Sequence, residues 1–154
     1  MFFGWRVITL CFLLLCDVPN SSADAPGQLP NSSIQPGSLV PVKTNDPTVQ
    51  RAARLGVYKY NNSSNDLFLF KESHINKATM QIVKGVKYRL DVDIRRTVCS
   101  KRIPHPNLDR CDFQKNKILR KIFTCYFEIW FIPWEQKVHV SIVICHLPLS
   151  NKVY

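Results

Sequence analysis

Between Val86 and Arg95 the chain alternates without a break: Val86, Tyr88, Leu90, Val92 and Ile94 are apolar, while Lys87, Arg89, Asp91, Asp93 and Arg95 are charged. A period of two sends successive side chains to opposite faces, so this stretch predicts a strand with one buried face. Upstream, Leu67 to Val83 is β-prone, with its alternation interrupted around Glu72 to Lys77, where a bulge or bend is expected, and Gly85 ends the run. Downstream, Ile118 to Ile132 is apolar and aromatic, and Lys137 to Cys145 is read with Val138, Val140, Ile142 and Ile144 on one side. Pro133-Trp134-Glu135-Gln136 joins these two runs as a hairpin turn. The polar stretch from Lys101 to Lys117, with Pro104 and Pro106, reads as a long excursion anchored at Cys99 and Cys111.

A helical period precedes the strands. Asp46-Pro47 offers an N-cap followed by proline at the first helical position. Val49, Ala52, Ala53, Val57 and Tyr60 then fall on one face, and Gln50, Arg51, Arg54 and Lys59 on the other. The polar run Asn61 to Asp66 stops this helix after about 15 residues, and Gly56 weakens it. A helix with one apolar stripe and a meander with one apolar face cover each other. The expected class is therefore α+β, with a helix cradled in a curved antiparallel sheet. A β-sandwich would leave the helix stripe without a partner.

The N-terminal part follows other rules. Arg6, the apolar run Val7 to Cys16 and the small residues Ser21-Ser22-Ala23 have the order of a secretory signal, with cleavage expected after Ala23 and Ala25 as the alternative. Asp24 to Asp46 is rich in Pro, Ser, Asn and Gly and reads as a flexible lead-in. The expected division is a signal peptide over 1–23, an N-terminal arm over 24–36, one folded domain over 37–146 and a C-terminal tail over 147–154. No later stretch is apolar enough to hold the chain in a membrane, so a secreted product without stable membrane insertion is expected.

Of six cysteines, Cys11 and Cys16 would leave with the signal, and Cys99, Cys111, Cys125 and Cys145 remain. In an oxidising compartment these four predict two disulfides with three connectivities, of which sequential pairing is the simplest. Their spacings do not suit zinc, and neither a metal nor a cofactor is expected. Asn-X-Ser sequons propose glycans at Asn31 and at one of the adjacent Asn61 and Asn62. The net charge of +10 admits nucleic acid, heparin-like glycans or acidic membranes as partners. The basic residues are spread from Lys43 to Lys121 without a dense block, however, which favours a solvated charged face and no nucleic-acid partner.

An enzyme is not expected. His74, His105, His139 and His146 are scattered, and neither HExxH nor GxSxG occurs. Cys145 and His146 are neighbours on a strand and point to opposite faces. Asp91 and Asp93 share a face with flanking Arg89 and Arg95, as on an ordinary charged surface. The turns are more informative. Trp134 stands at a hairpin tip behind Pro133, where a tryptophan either folds back over the sheet or serves as an interface anchor, and Gln81-Ile82-Val83-Lys84-Gly85 forms a second turn. Alternate hairpins of a meander lie along one edge.

These residues resemble the type 2 cystatin family. Gln81 to Gly85 matches its Q-x-V-x-G loop, Pro133-Trp134 its second hairpin, and Gly37 the glycine of its N-terminal arm, and the match runs from about Pro36 to His146. Lys43 to Pro47, Asn65-Asp66, Phe68 to Ser73 and Cys111 to Gln114 are similar to the leukocystatin branch in particular. The resemblance implies a five-stranded antiparallel sheet wrapped round one long helix, and disulfides pairing Cys99 with Cys111 and Cys125 with Cys145. It further implies reversible, competitive, noncovalent inhibition of papain-like (C1) cysteine proteases such as lysosomal cathepsins, with Gly37, residues 81–85 and Pro133-Trp134 entering the cleft as a wedge.

The resemblance also carries finer expectations. Ser64-Asn65-Asp66 is similar to the separate site by which some members of the family inhibit legumain, an asparagine-specific protease, with Asn65 in the specificity pocket; the alternative is a turn residue held by a side-chain hydrogen bond. Gln35-Pro36 departs from the two aliphatic residues of strongly inhibiting relatives, so a weaker or more selective arm is expected. The branch has further cysteines, in the arm and just before the Asn-Asp turn, that link an inactive dimer. Here the arm has none and Ser63 stands in the second region, so a monomer is expected unless strands swap between chains. The branch's endosomal and lysosomal destination is an expectation beside secretion. A cationic host-defence or glycan-binding protein on the same scaffold is the alternative function.

Overall fold

The computed structural model describes residue 35 and residues 37–148. The expected signal peptide, most of the arm, Asn31 and residues 149–154 lie outside the described residues. Within them the order is β1 (Leu39–Pro41), α1 (Pro47–Ser63), β2 (Phe68–Ile82), β3 (Val86–Ser100), β4 (Ile122–Ile132) and β5 (Lys137–His146), with short 3-10 turns at Leu108–Arg110 and Pro133–Glu135. The strands form one sheet in sequence order, and every neighbouring pair is antiparallel.

Local chemistry starts the helix where expected. The Asp46 carboxylate accepts from the backbone N–H groups of Thr48 and Val49, at 2.8 and 3.3 Å, and Pro47 occupies the first turn. Val49, Ala52, Ala53 and Val57 are buried against the inner face of the sheet, where Phe70, Leu90, Val92, Ile94, Phe127 and Ile129 are sealed from solvent. The register places Leu90 opposite Phe127 and Val92 opposite Cys125, so successive layers of this core come from paired strands.

Gly56 is the closest point of approach. A β-carbon there would lie 2.6 Å from the Phe127 ring, so glycine lets the helix settle onto the aromatic beneath it. The helix also extends further than expected, to Ser63, because Asn61 turns inward. Its amide donates to the Phe70 carbonyl at 2.8 Å and accepts from the Phe70 N–H at 2.9 Å, and the residue is 3% exposed. This corrects the sequon reading of Asn61, whose nitrogen would have to carry a glycan in the core. The neighbouring Asn62 is exposed.

Two strand expectations change. β4 begins at Ile122 rather than Ile118, since Asn116 caps a turn by accepting from the N–H groups of Ile118, Leu119 and Arg120. Along β5 the faces switch midway: Glu128 pairs with Ile142 but Ile129 with Val140, leaving Ser141 as an extra residue. Beyond this bulge Val143 and Cys145 pack on the core, and Ile144 is 59% exposed. The β2–β3 pairing carries register shifts around Glu72 and Ile75, where the sequence pattern is interrupted.

Cys125 and Cys145 are bonded directly across β4 and β5, and Cys99 is bonded to Cys111. The excursion after β3 is less peripheral than its polarity suggests, since Leu108 is fully buried and Phe113 bridges back to Thr97. No described helix is long and apolar enough to cross a membrane. Among the described residues no group of three or more His, Cys, Asp or Glu side chains could hold a metal.

Candidate functional site

One end of the sheet gathers three segments that are distant in sequence. The β2–β3 turn and the β4–β5 turn lie there because Ile82 pairs with Val86 and Ile132 with Lys137. The start of β1 joins them through the pairing of Leu39 with Gln81.

Each segment is held from below. Gly37 has φ +85°, and a β-carbon at this position would meet nothing within 4 Å, so backbone conformation rather than space calls for glycine. Its N–H donates to the Ile82 carbonyl at 3.1 Å, and its carbonyl accepts from the Gln81 amide at 2.7 Å. In the next turn the Val83 N–H donates to the Gly85 carbonyl at 3.0 Å, and Lys84 has φ +39°. Gly85, at φ +116°, is required twice over: its conformation suits glycine, and a β-carbon would stand 2.3 Å from the Phe131 carbonyl oxygen. The indole N–H of Trp130 donates to the Lys84 carbonyl at 3.2 Å and ties this turn to β4.

The side chains above that frame face solvent. Ile82 is 45% exposed and Trp134 is 60% exposed, and Lys84 and Pro133 are exposed as well. Pro133 opens the 3-10 turn that carries Trp134, and Gln136 closes it at φ +51° with its N–H donating to the Pro133 carbonyl. The result is an apolar, ridge-like edge on a hydrogen-bonded base. Trp130 was not among the candidates read from sequence. Its place in an aromatic run looks like core, and only pairing with β3 reveals that it props the turn.

Ser64, Asn65 and Asp66 lie at the opposite end, in the connection from α1 to β2. Asn65 is exposed between two anchored neighbours. The Ser64 carbonyl accepts from the Lys101 ammonium, and the Ser64 N–H donates to the Tyr60 carbonyl at 2.8 Å. The Asp66 carboxylate pairs with Arg96, lies 3.5 Å from Lys121 and accepts from the Phe68 N–H at 3.1 Å. Burial alone would raise this carboxyl, but the Arg96 guanidinium, the Phe68 N–H and Lys121 outweigh it and hold the group below the usual carboxylate range. A polar groove elsewhere, between the start of α1 and β2, is crossed by Arg54, which donates to Glu72 at 2.7 Å and to Asp109 at 2.8 Å.

The family model described as a cystatin domain matches residues 37–130. Cystatin-F of Homo sapiens is 47% identical over 140 residues, covering 91% of this chain and 96% of that protein. Cystatin-F of Mus musculus is 50% identical over 114 residues, covering 74% and 78%. Among solved structures, the crystal structure of dimeric human cystatin F matches with a TM-score of 0.70 at 50% identity, covering 80% of this chain and 97% of that one.

That last comparison corrects the expectation of a monomer, because so similar a relative is dimeric. Cysteines bear only on covalent linkage, whereas a sheet edge can pair without them, and among the described residues β5 has a strand partner on one side only.

Proposed function

The chain belongs to the type 2 cystatin family and is closely related to cystatin F, and from that membership we infer that it is a cysteine-protease inhibitor and not an enzyme. We propose that its targets are papain-like (C1) proteases such as lysosomal cathepsins, bound reversibly and competitively at the edge formed by Gly37, residues 81–85 and Pro133-Trp134. The observation that carries this reading is the convergence of the three segments, with Ile82 and Trp134 exposed above backbone that is already hydrogen-bonded.

Such an edge acts by occupation. The 82–84 main chain would cover the protease's catalytic thiol without laying a scissile bond across it. Trp134 would bury its indole against the primed-side wall, and the residues before Gly37 would follow the unprimed side. Because the backbone is held in place beforehand, little ordering entropy is lost on docking.

Titration against papain and a cathepsin of the L type tests the reading. The parent chain should inhibit stoichiometrically. Trp134→Ala should weaken binding by at least about 2 kcal/mol, roughly thirtyfold, without loss of fold. Absence of inhibition by the folded, disulfide-bonded parent would refute it.

A second contact belongs to the same proposal: Asn65, exposed between the anchored Ser64 and Asp66, would enter the specificity pocket of legumain. Secretion, with delivery to endosomes or lysosomes, completes the proposal. It is supported by the order of charged, apolar and small residues over 1–23 and is tested by N-terminal sequencing of the product that cells release.

A further inference from the structure

We propose that Arg89 and Glu128 are positioning residues for the N-terminal arm, acting through Gln81 to fix where Gly37 delivers the arm into a protease cleft. The inference rests on the inhibitory reading above. Both residues stand on the outer face of the sheet, opposite one another on β3 and β4. Glu128 is 7% exposed and is paired on both sides, with Lys87 at 3.0 Å and with the Arg89 Nε at 3.2 Å. This fixes the guanidinium, whose Nη2 donates to the Gln81 Oε1 at 3.3 Å.

The chemistry of that contact determines the next one. A guanidinium donates and cannot accept, so Gln81 must turn its oxygen toward Arg89. Its nitrogen is thereby left facing the Gly37 carbonyl, to which it donates at 2.7 Å. Without Arg89 the amide could rotate by half a turn and present oxygen to oxygen, and Gly37 would lose one of its two bonds to β2. The other is the bond from the Gly37 N–H to the Ile82 carbonyl. A charge pair on the sheet surface thus sets the orientation of an amide, and the amide sets the arm.

Arg89→Met is a suitable probe because Glu128 keeps Lys87 as its partner. In the purified chain, amide hydrogen exchange at Gly37 should quicken about tenfold in Arg89→Met while exchange at Leu90 in the core is unchanged. Inhibition of papain should weaken about tenfold in Arg89→Met and in Gln81→Met, and the double variant should be no weaker than Gln81→Met. Parent-like exchange at Gly37, parent-like inhibition by Arg89→Met, or additive losses in the double variant would each overturn the proposal. Should the parent fail to inhibit papain, the inhibitory reading falls by itself. Exchange at Gly37 then decides whether Arg89 holds the arm, faster exchange supporting it and unchanged exchange overturning it.

Discussion

Asn61 serves Phe70 as a strand neighbour would: one side-chain amide satisfies both backbone groups of a residue buried at the start of β2. Asn61→Ala strands a buried N–H and carbonyl together, and it should lower stability by about 2–4 kcal/mol in chemical denaturation. Asn62, one position along the helix, is exposed and within its own sequon. Asn62→Gln should leave stability within about 0.5 kcal/mol. It should also abolish the mass shift produced by glycosidase at this pair of sites, whereas a glycan found on Asn61 would contradict the packing described.

Gly56 presents a conflict between two magnitudes. Alanine is the better helix former by about 1 kcal/mol, but its methyl would press on the Phe127 ring, and overpacking costs about 1–3 kcal/mol. Gly56→Ala should therefore destabilise by about 1 kcal/mol despite its helix propensity. Phe127→Leu in the same chain should relieve part of that loss, which a double-mutant cycle would measure.

Asp66 gives the α1–β2 connection a dependence on pH. Its folded carboxyl is held below the usual range, so its stabilising contribution is present above the ordinary carboxylate pKa and is lost as pH falls through the depressed one. Thermal midpoints of the parent and Asp66→Asn should therefore differ at about pH 5 and converge as pH falls below the usual carboxylate range. A gap that widens on acidification would contradict this assignment.

The two proposed contacts lie at opposite ends of the sheet and should act independently. Asn65→Ala should abolish legumain inhibition and leave papain inhibition within about twofold, and Trp134→Ala should weaken papain inhibition by roughly thirtyfold and leave legumain inhibition within about twofold. A ternary complex of the chain with both proteases, resolved by size-exclusion chromatography, is expected. Competition between the two enzymes would exclude this arrangement.

Legibility from sequence followed the physical range of each signal. Asp46-Pro47 and the spacing from Val49 to Val57 are local, so the start and the buried face of α1 could be read directly. So could the alternation of β3, which has a partner on either side. The face of β5 could not. A single extra residue at Ser141 reverses every position beyond it, and nothing in the run from Lys137 to Cys145 marks where that occurs. Asn61 was misread for a related reason, since a polar residue after a helix looks like a turn until its partner 9 residues away is known.

The candidate edge divides in the same way. Gln81, Gly85 and Trp134 stand out by motif and turn chemistry, whereas Trp130, Arg89 and Glu128 act through contacts between strands. Arg89 is 39 residues from Glu128 in sequence, and its alternation with Tyr88 and Leu90 marks it only as outward-facing. Buried Leu108 was likewise concealed within a polar stretch.

The brevity of β1 has a consequence for the order of assembly. Strands β2 to β5 are joined to their neighbours in sequence order, whereas the arm must close a loop around the whole of α1 to meet a partner 44 residues away. Three residues of pairing return little for that closure, so β1 should add late, onto a body that already has its core. In a folding experiment, substitutions in β1 should leave the rate of formation nearly unchanged and appear in the rate of unfolding instead. β1 would then be the last strand to arrive and the first to leave, docking and undocking without disturbing the body that carries it.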